Sequence, residues 1–330
     1  SVTVIIDTNG ERDAYVAKND EVVHVTFKAG EYDFSKDLYV NGAVQAKQGG
    51  EVVLNVNGQT ITSGTAAHYG VIAQGVGNTL IVNDAVVVSN GGGFAAAEGA
   101  KIIFNGESVA VNATNSAGRY HFYATTGGQI EINGGTFNLN TSKSTRRAYV
   151  YAEASATVVI NGGVFGKPST RSDYKAGIMG SGKVIIYGGT FGFDPSNWVA
   201  PGYFTVKEGA NWVVKAPVVV NDESELADAV ANAVEGTQII LADNANYGTI
   251  TAGELKNVTI NGGENTVMTF VTDAYSKLEN VTLNNVDFVY DGSNVNSGIV
   301  IDAAATIKNL VIDGCSFVGT GAKAGRGLYG

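Results

Sequence analysis

The chain has 330 residues, a formal net charge of −10 and a single cysteine, Cys315, which we interpret as a core residue. An acidic surface repels phosphate, which argues against nucleic acid as a partner, and one cysteine excludes an internal disulfide. No apolar run reaches the ~18 residues needed to cross a bilayer, so we expect no membrane insertion.

The first strand signal lies near the N-terminus. Val23–Phe27 is a β-branched run, residues 28–32 carry turn chemistry, and residues 38–42 contain a second short run. No helix pattern accompanies these strands, so the sequence leaves open how this end is capped.

A repeated motif dominates the rest of the chain. A short β-branched run ends in a small polar residue, usually followed by glycine and another apolar residue, as in QIEINGGTF (129–137) and TVVINGGVF (157–165). Within each of two blocks the polar residues are 22 to 29 positions apart, and such self-similarity is typical of a solenoid. These polar residues are Asn57, Asn83, Asn105, Asn133, Asn161 and Tyr187 in the first block, and Asn261, Asn284 and Asp313 in the second.

The repeat length favours a parallel β-helix, because one coil of 22 to 29 residues holds two or three short strands and their turns. Leucine-rich repeats need a leucine pattern that is missing, and propeller blades are longer. Asn and Gly at the corners tolerate the left-handed backbone that a sharp turn needs. Phenylalanines four positions after the polar residue predict an aromatic column in the core: Phe137, Phe165, Phe191, Phe288 and Phe317.

A second strand signal precedes the motif and carries aromatic residues in consecutive coils. Alternation predicts that Tyr149 and Tyr151 share one face of their strand. In the neighbouring coil, alternation places Tyr120 and Tyr123 on opposite faces of the strand, so one of these two tyrosines faces outward. A mixed polar face without a ligand is the alternative interpretation. The candidate face for a glycan or a partner subunit comprises Arg119, Tyr120, His121, Tyr123, Arg147, Tyr149, Tyr151, Asp173 and Tyr174, with Arg146 and Arg171 beside them.

The repeat breaks after Phe191, and residues 192–214 contain both tryptophans, Trp198 and Trp212. An open solenoid end exposes strand edges and apolar core, so we interpret this segment as a closing cap. A tryptophan-based sugar platform is the alternative.

The next segment predicts a capping helix over residues 222–235. Asp222 and Glu225 have capping-box spacing, and Gly236 is placed to end the helix. We therefore predict two tandem β-helix domains, residues 1–216 and 217–330, the second incomplete at its C-terminal end. The apolar stripe of the helix consists of Leu226, Ala229, Val230, Ala233 and Val234.

Two stretches resemble known proteins. VVVNDESELADAVANAVEGTQIILA (218–242) resembles the start of pectate-lyase-like right-handed β-helices. GGTFGFDPSNWVAPGYFTVKEGANWVV (188–214) resembles a segment of bacterial cell-surface repeat proteins and phage appendage proteins. The resemblance implies an all-β, right-handed parallel β-helix in an extracellular position, on a bacterial cell or a virion. It implies no activity, since this fold carries lyases, hydrolases, adhesins and inert spacers.

The residues contain no recognisable catalytic or metal-binding motif. Glycoside hydrolysis uses two carboxylates, whereas Glu131 and Glu153 are isolated in the repeats. His24, His68 and His121 lie far apart in the sequence and lack the spacing of zinc ligands. We therefore expect no metal and no cofactor.

These observations favour a non-enzymatic structural or adhesive module on a phage fibre or a bacterial surface. Its partners would be polysaccharides, further copies of the chain or other subunits of a surface assembly. A polysaccharide lyase or glycoside hydrolase is the alternative, because folding can bring together acids from different coils. A spacer without any ligand is the third hypothesis.

Overall fold

The computed structural model describes residues 2–7, 23–64, 66–112, 119–139, 147–168, 177–290, 297–321 and 327–329. About 60% of these residues are in strands and 4% in helix, and their parallel strands stack as a β-solenoid of about 10 turns with one α-helix, so the predicted fold class is confirmed. Within these residues no helix is long and apolar enough to span a bilayer. The chain forms two compact units, unit 1 (Ser1–Ala200 and Lys207–Val214) and unit 2 (Pro201–Val206 and Lys215–Gly330).

In the described residues up to the end of the tryptophan-bearing segment, the elements are strands and one 3₁₀ turn, Ser196–Trp198. The strands are β1 (Val2–Ile6), β2 (Val23–Phe27), β3 (Gly30–Asp33), β4 (Leu38–Val40), β5 (Val44–Ala46), β6 (Glu51–Asn55), β7 (Thr60–Ser63), β8 (Tyr69–Gln74), β9 (Thr79–Ser89), β10 (Gly92–Ala97), β11 (Lys101–Val111), β12 (Arg119–Ala124), β13 (Gln129–Phe137), β14 (Arg147–Ala152), β15 (Thr157–Ile160), β16 (Val164–Phe165), β17 (Ile178–Met179), β18 (Lys183–Ile186), β19 (Thr190–Phe191), β20 (Phe204–Glu208) and β21 (Asn211–Lys215).

Two sheets run along the solenoid of unit 1. Sheet 1 has the order β1-β2-β5-β8-β10-β12-β14-β17, and sheet 2 includes β3-β6-β9-β11-β13-β16-β19. Neighbouring strands in both orders come from successive coils and pair in parallel. Each outward side chain therefore lies beside its counterpart one coil away, about 4.8 Å along the solenoid.

Phenylalanine rings fill the space between the two sheets. The ring centroids of Phe94 in sheet 1 and Phe104 in sheet 2 are 5.2 Å apart. Along sheet 2, the ring of Phe165 lies 4.8 Å from Phe137 and 4.9 Å from Phe191. All five rings are buried, which confirms the predicted aromatic column in this unit.

The corner asparagines differ from the expectation that they supply the left-handed backbone. Among those of unit 1, Asn57 alone has a positive φ, of 55°. Elsewhere a following residue takes this conformation, for example Asp84 (φ 52°) and Gly106 (φ 82°). The side chains instead form a ladder, in which each amide nitrogen donates to the amide oxygen one coil earlier at 2.7 to 2.9 Å. Its members are Asn55, Asn83, Asn105, Asn133 and Asn161.

Parallel stacking gives way to an antiparallel pair after the last coil of unit 1. β21 pairs antiparallel with β19, with Phe191 opposite Trp212. The Lys207 ammonium lies 4.5 Å from the centre of the Trp212 ring, within the range of a cation–π contact. Trp212 is therefore engaged with the neighbouring strand and with a cation.

Unit 2 is a shorter solenoid with a single parallel sheet built around one long strand, β26, and a helix, α1, near its start. A side-chain ladder recurs here, since Asn284 donates to Asn261 at 3.1 Å. The elements are β22 (Val218–Val220), α1 (Glu223–Ala231), β23 (Gln238–Leu241), β24 (Ala245–Lys256), β25 (Thr259–Asn261), β26 (Thr266–Asn284), β27 (Asp287–Tyr290), β28 (Ile299–Val300), β29 (Thr306–Asp313), β30 (Ser316–Gly319) and β31 (Leu328–Tyr329).

Helix α1 begins as predicted and ends earlier. The Asp222 side chain accepts a hydrogen bond from the Glu225 backbone N–H at 2.8 Å, which satisfies a free donor of the first turn. Leu226 and Val230 are buried in the core of unit 2. The helix ends at Ala231 rather than at 235, and Val234 is 50% exposed, so the apolar stripe is shorter than predicted.

Candidate ligand-binding face

Four tyrosines meet on the outer face of sheet 1, and we call them the tyrosine platform: Tyr69, Tyr120, Tyr123 and Tyr151. The closest ring pair is Tyr120 and Tyr151, with centroids 4.9 Å apart. Tyr123 lies 5.4 Å from Tyr69, 5.5 Å from Tyr151 and 5.7 Å from Tyr120. All four side chains are partly exposed, so the platform presents aromatic surface to solvent.

Small residues in β10 allow the platform to span four successive strands. Tyr69 belongs to β8 and Tyr123 to β12, with β10 between them. Gly92 of β10 is the register partner of Tyr69, and a Cβ atom on Gly92 would collide with the Tyr69 ring. Ala95 of β10 is the register partner of Tyr123. The Tyr69 ring therefore lies across β10 and meets Tyr123 two coils away.

Side chains do not alternate regularly between the two faces of the strands in the platform. The prediction that they belong to the exposed face is therefore wrong for two residues. Tyr149 and His121 are buried, so neither belongs to the exposed face. The backbone N–H groups of Tyr149 and Val150 both donate to the carbonyl of Gly177, at 2.8 and 3.3 Å. Two consecutive residues sharing one partner is the pattern of a β-bulge, which resets the alternation of side chains.

As a result, Tyr149 and Tyr151 lie on different sides of the sheet, contrary to the prediction. The Tyr149 hydroxyl donates to the Gly166 carbonyl at 2.8 Å, and burial raises the pKa of this phenol. In the neighbouring coil Tyr120 and Tyr123 both face outward, with His121 between them facing inward.

Two charged members of the candidate face, Arg119 and Arg147, begin strands β12 and β14 at one end of the platform. Arg119 is partly buried, and its guanidinium lies 6.0 Å from the centre of the Tyr69 ring. Its Nη2 donates to the Ala66 carbonyl at 3.5 Å. Arg147 is the register partner of Arg119 in the next coil. The candidates Asp173 and Tyr174, and also Arg146 and Arg171, fall outside the described residues.

A carboxylate lies at the other end of the platform. The Tyr123 hydroxyl donates a short hydrogen bond to Glu153, whose second oxygen accepts the Thr126 backbone N–H at 3.3 Å. Burial and the Glu153 carboxylate raise the pKa of Tyr123, and burial raises that of Tyr69. Both phenols therefore keep their protons in neutral solution.

Sequence reasoning missed two residues of this face. Tyr69 opens the segment HYGVIA, which carries the same strand signal as YHFYA, so comparison of equivalent strand positions could have found it. Glu153 was interpreted as isolated, yet it contacts Tyr123 across one coil. No sequence signal specifies that contact, because it depends on the register between coils.

Two of the histidines that lie far apart in the sequence come together in the structure. The rings of His24 and His68 meet edge-on, with centroids 4.7 Å apart. His24 is buried, and its Nδ1 accepts the Ala43 backbone N–H at 3.0 Å. His121 packs against Tyr149 at 5.1 Å.

Within the described ranges, no three His, Cys, Asp or Glu side chains come together in an arrangement that could hold a metal ion. Comparison with protein-family models, curated proteins and solved structures gives no match. The platform is therefore interpreted from its own geometry.

Proposed function

We propose that this chain is a binding module of an extracellular surface assembly, on a bacterial cell or a phage appendage, and that the tyrosine platform binds carbohydrate. The observation that carries the proposal is the ring-to-ring contact of four partly exposed tyrosines across adjacent strands. Tyrosine combines an apolar ring with a polar hydroxyl, and such side chains suit ligands with both apolar and hydroxyl-bearing surfaces. Sugar rings have both.

The solenoid supports this role through its stiffness. The platform residues lie on strands of a continuous parallel sheet rather than on loops, and sites on regular elements hold their geometry more closely. A preformed site loses less conformational entropy on binding. A partly exposed aromatic patch on a rigid sheet therefore favours recognition of an extended polymer that lies against it.

The groups around the platform favour binding over a lyase or hydrolase reaction. Tyr123 is protonated in neutral solution and gives its hydrogen to Glu153, so it is unsuited to act as a base. Both oxygens of Glu153 accept hydrogen bonds from the protein. Hydrolysis of a glycosidic bond uses one carboxyl group as an acid and a second as a base or nucleophile.

The test measures retention of the protein by soluble polysaccharides in affinity electrophoresis. The panel is dextran, soluble starch, mixed-linkage β-glucan, galactomannan, xylan and polygalacturonate. We expect at least one polymer to retard the protein, and Tyr151→Ala to weaken retention by up to about tenfold, since an aromatic contact is worth about 0.5 to 1.5 kcal/mol.

The matched controls are Tyr39→Ala and Tyr275→Ala, which remove tyrosines that are 43% and 84% exposed and lie outside the platform. They should leave retention unchanged. Absence of retention by every polymer, or equal retention of Tyr151→Ala and the unmodified protein, would reject the proposal.

A further inference from the structure

Glu153 lies one residue beyond strand β14, at the edge of the tyrosine platform. One carboxylate oxygen accepts the Tyr123 hydroxyl, and the other accepts the Thr126 backbone N–H at 3.3 Å. Tyr123 and Thr126 belong to the preceding coil, so the carboxylate joins two coils of sheet 1 at this point.

Tyr123 has the most contacts within the platform. Its ring is within 5.7 Å of the rings of Tyr69, Tyr120 and Tyr151, measured between centroids. A partly exposed tyrosine side chain would otherwise lose rotamer freedom when a ligand binds. A hydrogen bond to an ionised acceptor is about twice as strong as a neutral one, so Glu153 can hold the ring in one orientation beforehand.

The direction of the hydrogen bond between Tyr123 and Glu153 determines which ligand groups can bond to the Tyr123 oxygen. A phenol has one hydrogen to donate, and that hydrogen points to Glu153. The Tyr123 oxygen can therefore only accept from a ligand. A hydroxyl group on the ligand satisfies it, whereas a methyl ether in the same place has no hydrogen to give.

We infer that Glu153 is a positioning residue that fixes Tyr123 in the platform and makes this end of the site selective for sugars with a free hydroxyl group. The positioning role is independent of any ligand. The selectivity rests on the proposed function, so the two parts are tested separately.

The first experiment uses the ligand-free protein and compares Glu153→Ala with Glu153→Gln. We expect Glu153→Ala to weaken the near-ultraviolet circular dichroism of the tyrosines and to lower the pKa of Tyr123, followed by NMR of tyrosine labelled with ¹³C at Cζ. Glu153→Gln should keep most of the near-ultraviolet signal, since its amide oxygen still accepts the Tyr123 hydroxyl.

Glu131→Ala is the matched control, because it removes a glutamate of sheet 2 whose carboxylate lies 3.6 Å from Lys101. Its tyrosine signals should equal those of the unmodified protein. Far-ultraviolet circular dichroism checks that every variant is folded. A folded Glu153→Ala protein with unchanged tyrosine signals and an unchanged Tyr123 pKa would overturn the positioning role, whatever the polysaccharide panel shows.

The second experiment compares each polysaccharide that retards the protein with its O-methylated form. We expect methylation to weaken retention about tenfold, because the ligand loses one hydrogen bond to the Tyr123 oxygen. Glu153→Ala should reduce the preference for the unmethylated over the methylated polymer. Equal retention of both forms would overturn the selectivity while leaving the proposed function in place. If no polymer retards the protein, the proposed function and the selectivity fail together, and the ligand-free result still decides the positioning role.

Discussion

Unit 1 contains columns of side chains formed by one residue from each successive coil. Columns that face the core and columns that face solvent differ in composition. The inward column is apolar in successive coils and ends in three phenylalanines, with rings 4.8 to 4.9 Å apart: Leu38, Ile61, Val87, Val109, Phe137, Phe165 and Phe191. The outward column of sheet 1 changes from Ala95 to Tyr123 and Tyr151. The inward column thus stays apolar where each coil must fit the next, whereas the outward column changes in chemical character where the surface meets solvent.

This difference separates the part of the sequence that specifies the fold from the part that can specify a ligand. A core column must match the coil spacing of about 4.8 Å, so a residue that stacks well once stacks well each time. An outward column carries no such constraint. The platform arises because this column changes from Ile72 and Ala95 to Tyr123 and Tyr151.

The strongest way to break the inward column is Phe165→Ala. Phe165 is buried between two other phenylalanines, so its loss leaves a cavity in the core. We expect the free energy of unfolding to fall by about 3 to 5 kcal/mol, measured by urea denaturation. The control Val76→Ala removes an aliphatic side chain that is 87% exposed and should have little effect. A loss below about 1 kcal/mol would contradict the assignment of this column as core.

The asparagine ladder should be weaker than the phenylalanine column. Asn105 donates to Asn83 and accepts from Asn133, each at 2.7 Å. Asn105→Ala removes both bonds at a partly buried position, so we expect a loss of about 1 to 2 kcal/mol in urea denaturation. Thr136→Ala, an exposed position in the adjacent strand, serves as the control. Equal midpoints for the two variants would show that the ladder adds nothing to stability.

The outward column can be disturbed with little effect on the core through Gly92→Ala. The added methyl group would collide with the Tyr69 ring and turn it away from Tyr123. We expect a stability loss of about 1 kcal/mol, together with a clear fall in the tyrosine near-ultraviolet signal. Gly134→Ala is the matched control, because a Cβ there meets no atom within 4 Å. If the near-ultraviolet signal of Gly92→Ala equalled that of the unmodified protein, the orientation of the Tyr69 ring would not depend on this glycine.

The inward columns were largely predictable from the sequence. The spacing of the repeats and the five phenylalanines four positions after a polar residue predict the solenoid and most of its core. Phe317 is the exception, because it is 40% exposed. The Asp222 cap predicts where helix α1 starts. The predicted end of the helix was wrong, because the apolar periodicity continues to Val234 whereas the helix ends at Ala231. Periodicity describes which residues are apolar, and tertiary packing decides how far a helix runs.

The outward face was predictable only in part. Tyr120, Tyr123 and Tyr151 were among the candidates, and the structure brings their rings together. Tyr149 was placed on the wrong side because the bulge at Tyr149 and Val150 depends on a carbonyl from the next coil. Strict alternation assumes regular pairing, and a single sequence carries no direct signal for where pairing becomes irregular.

A buried titratable group in strand β2, His24, gives the smallest expected effect. His24 is buried, and its ring meets the ring of His68 edge-on, with centroids 4.7 Å apart. Burial and the nearby His68 and Lys47 lower the pKa of His24 from its ordinary 6.5. Below pH 6.5 the unfolded chain binds a proton at His24 more readily than the native protein does, so stability falls as the pH is lowered and is fully present above it.

Urea midpoints measured from pH 7.5 down to pH 5 should therefore decrease, with a smaller slope in His24→Asn. Asparagine is a suitable replacement because its side-chain oxygen can accept the Ala43 N–H that Nδ1 accepts in the native protein. The carboxylates contribute their own pH dependence to both proteins, so the difference between the two slopes isolates His24. Identical slopes would mean that His24 is as easily protonated in the native protein as in the unfolded chain.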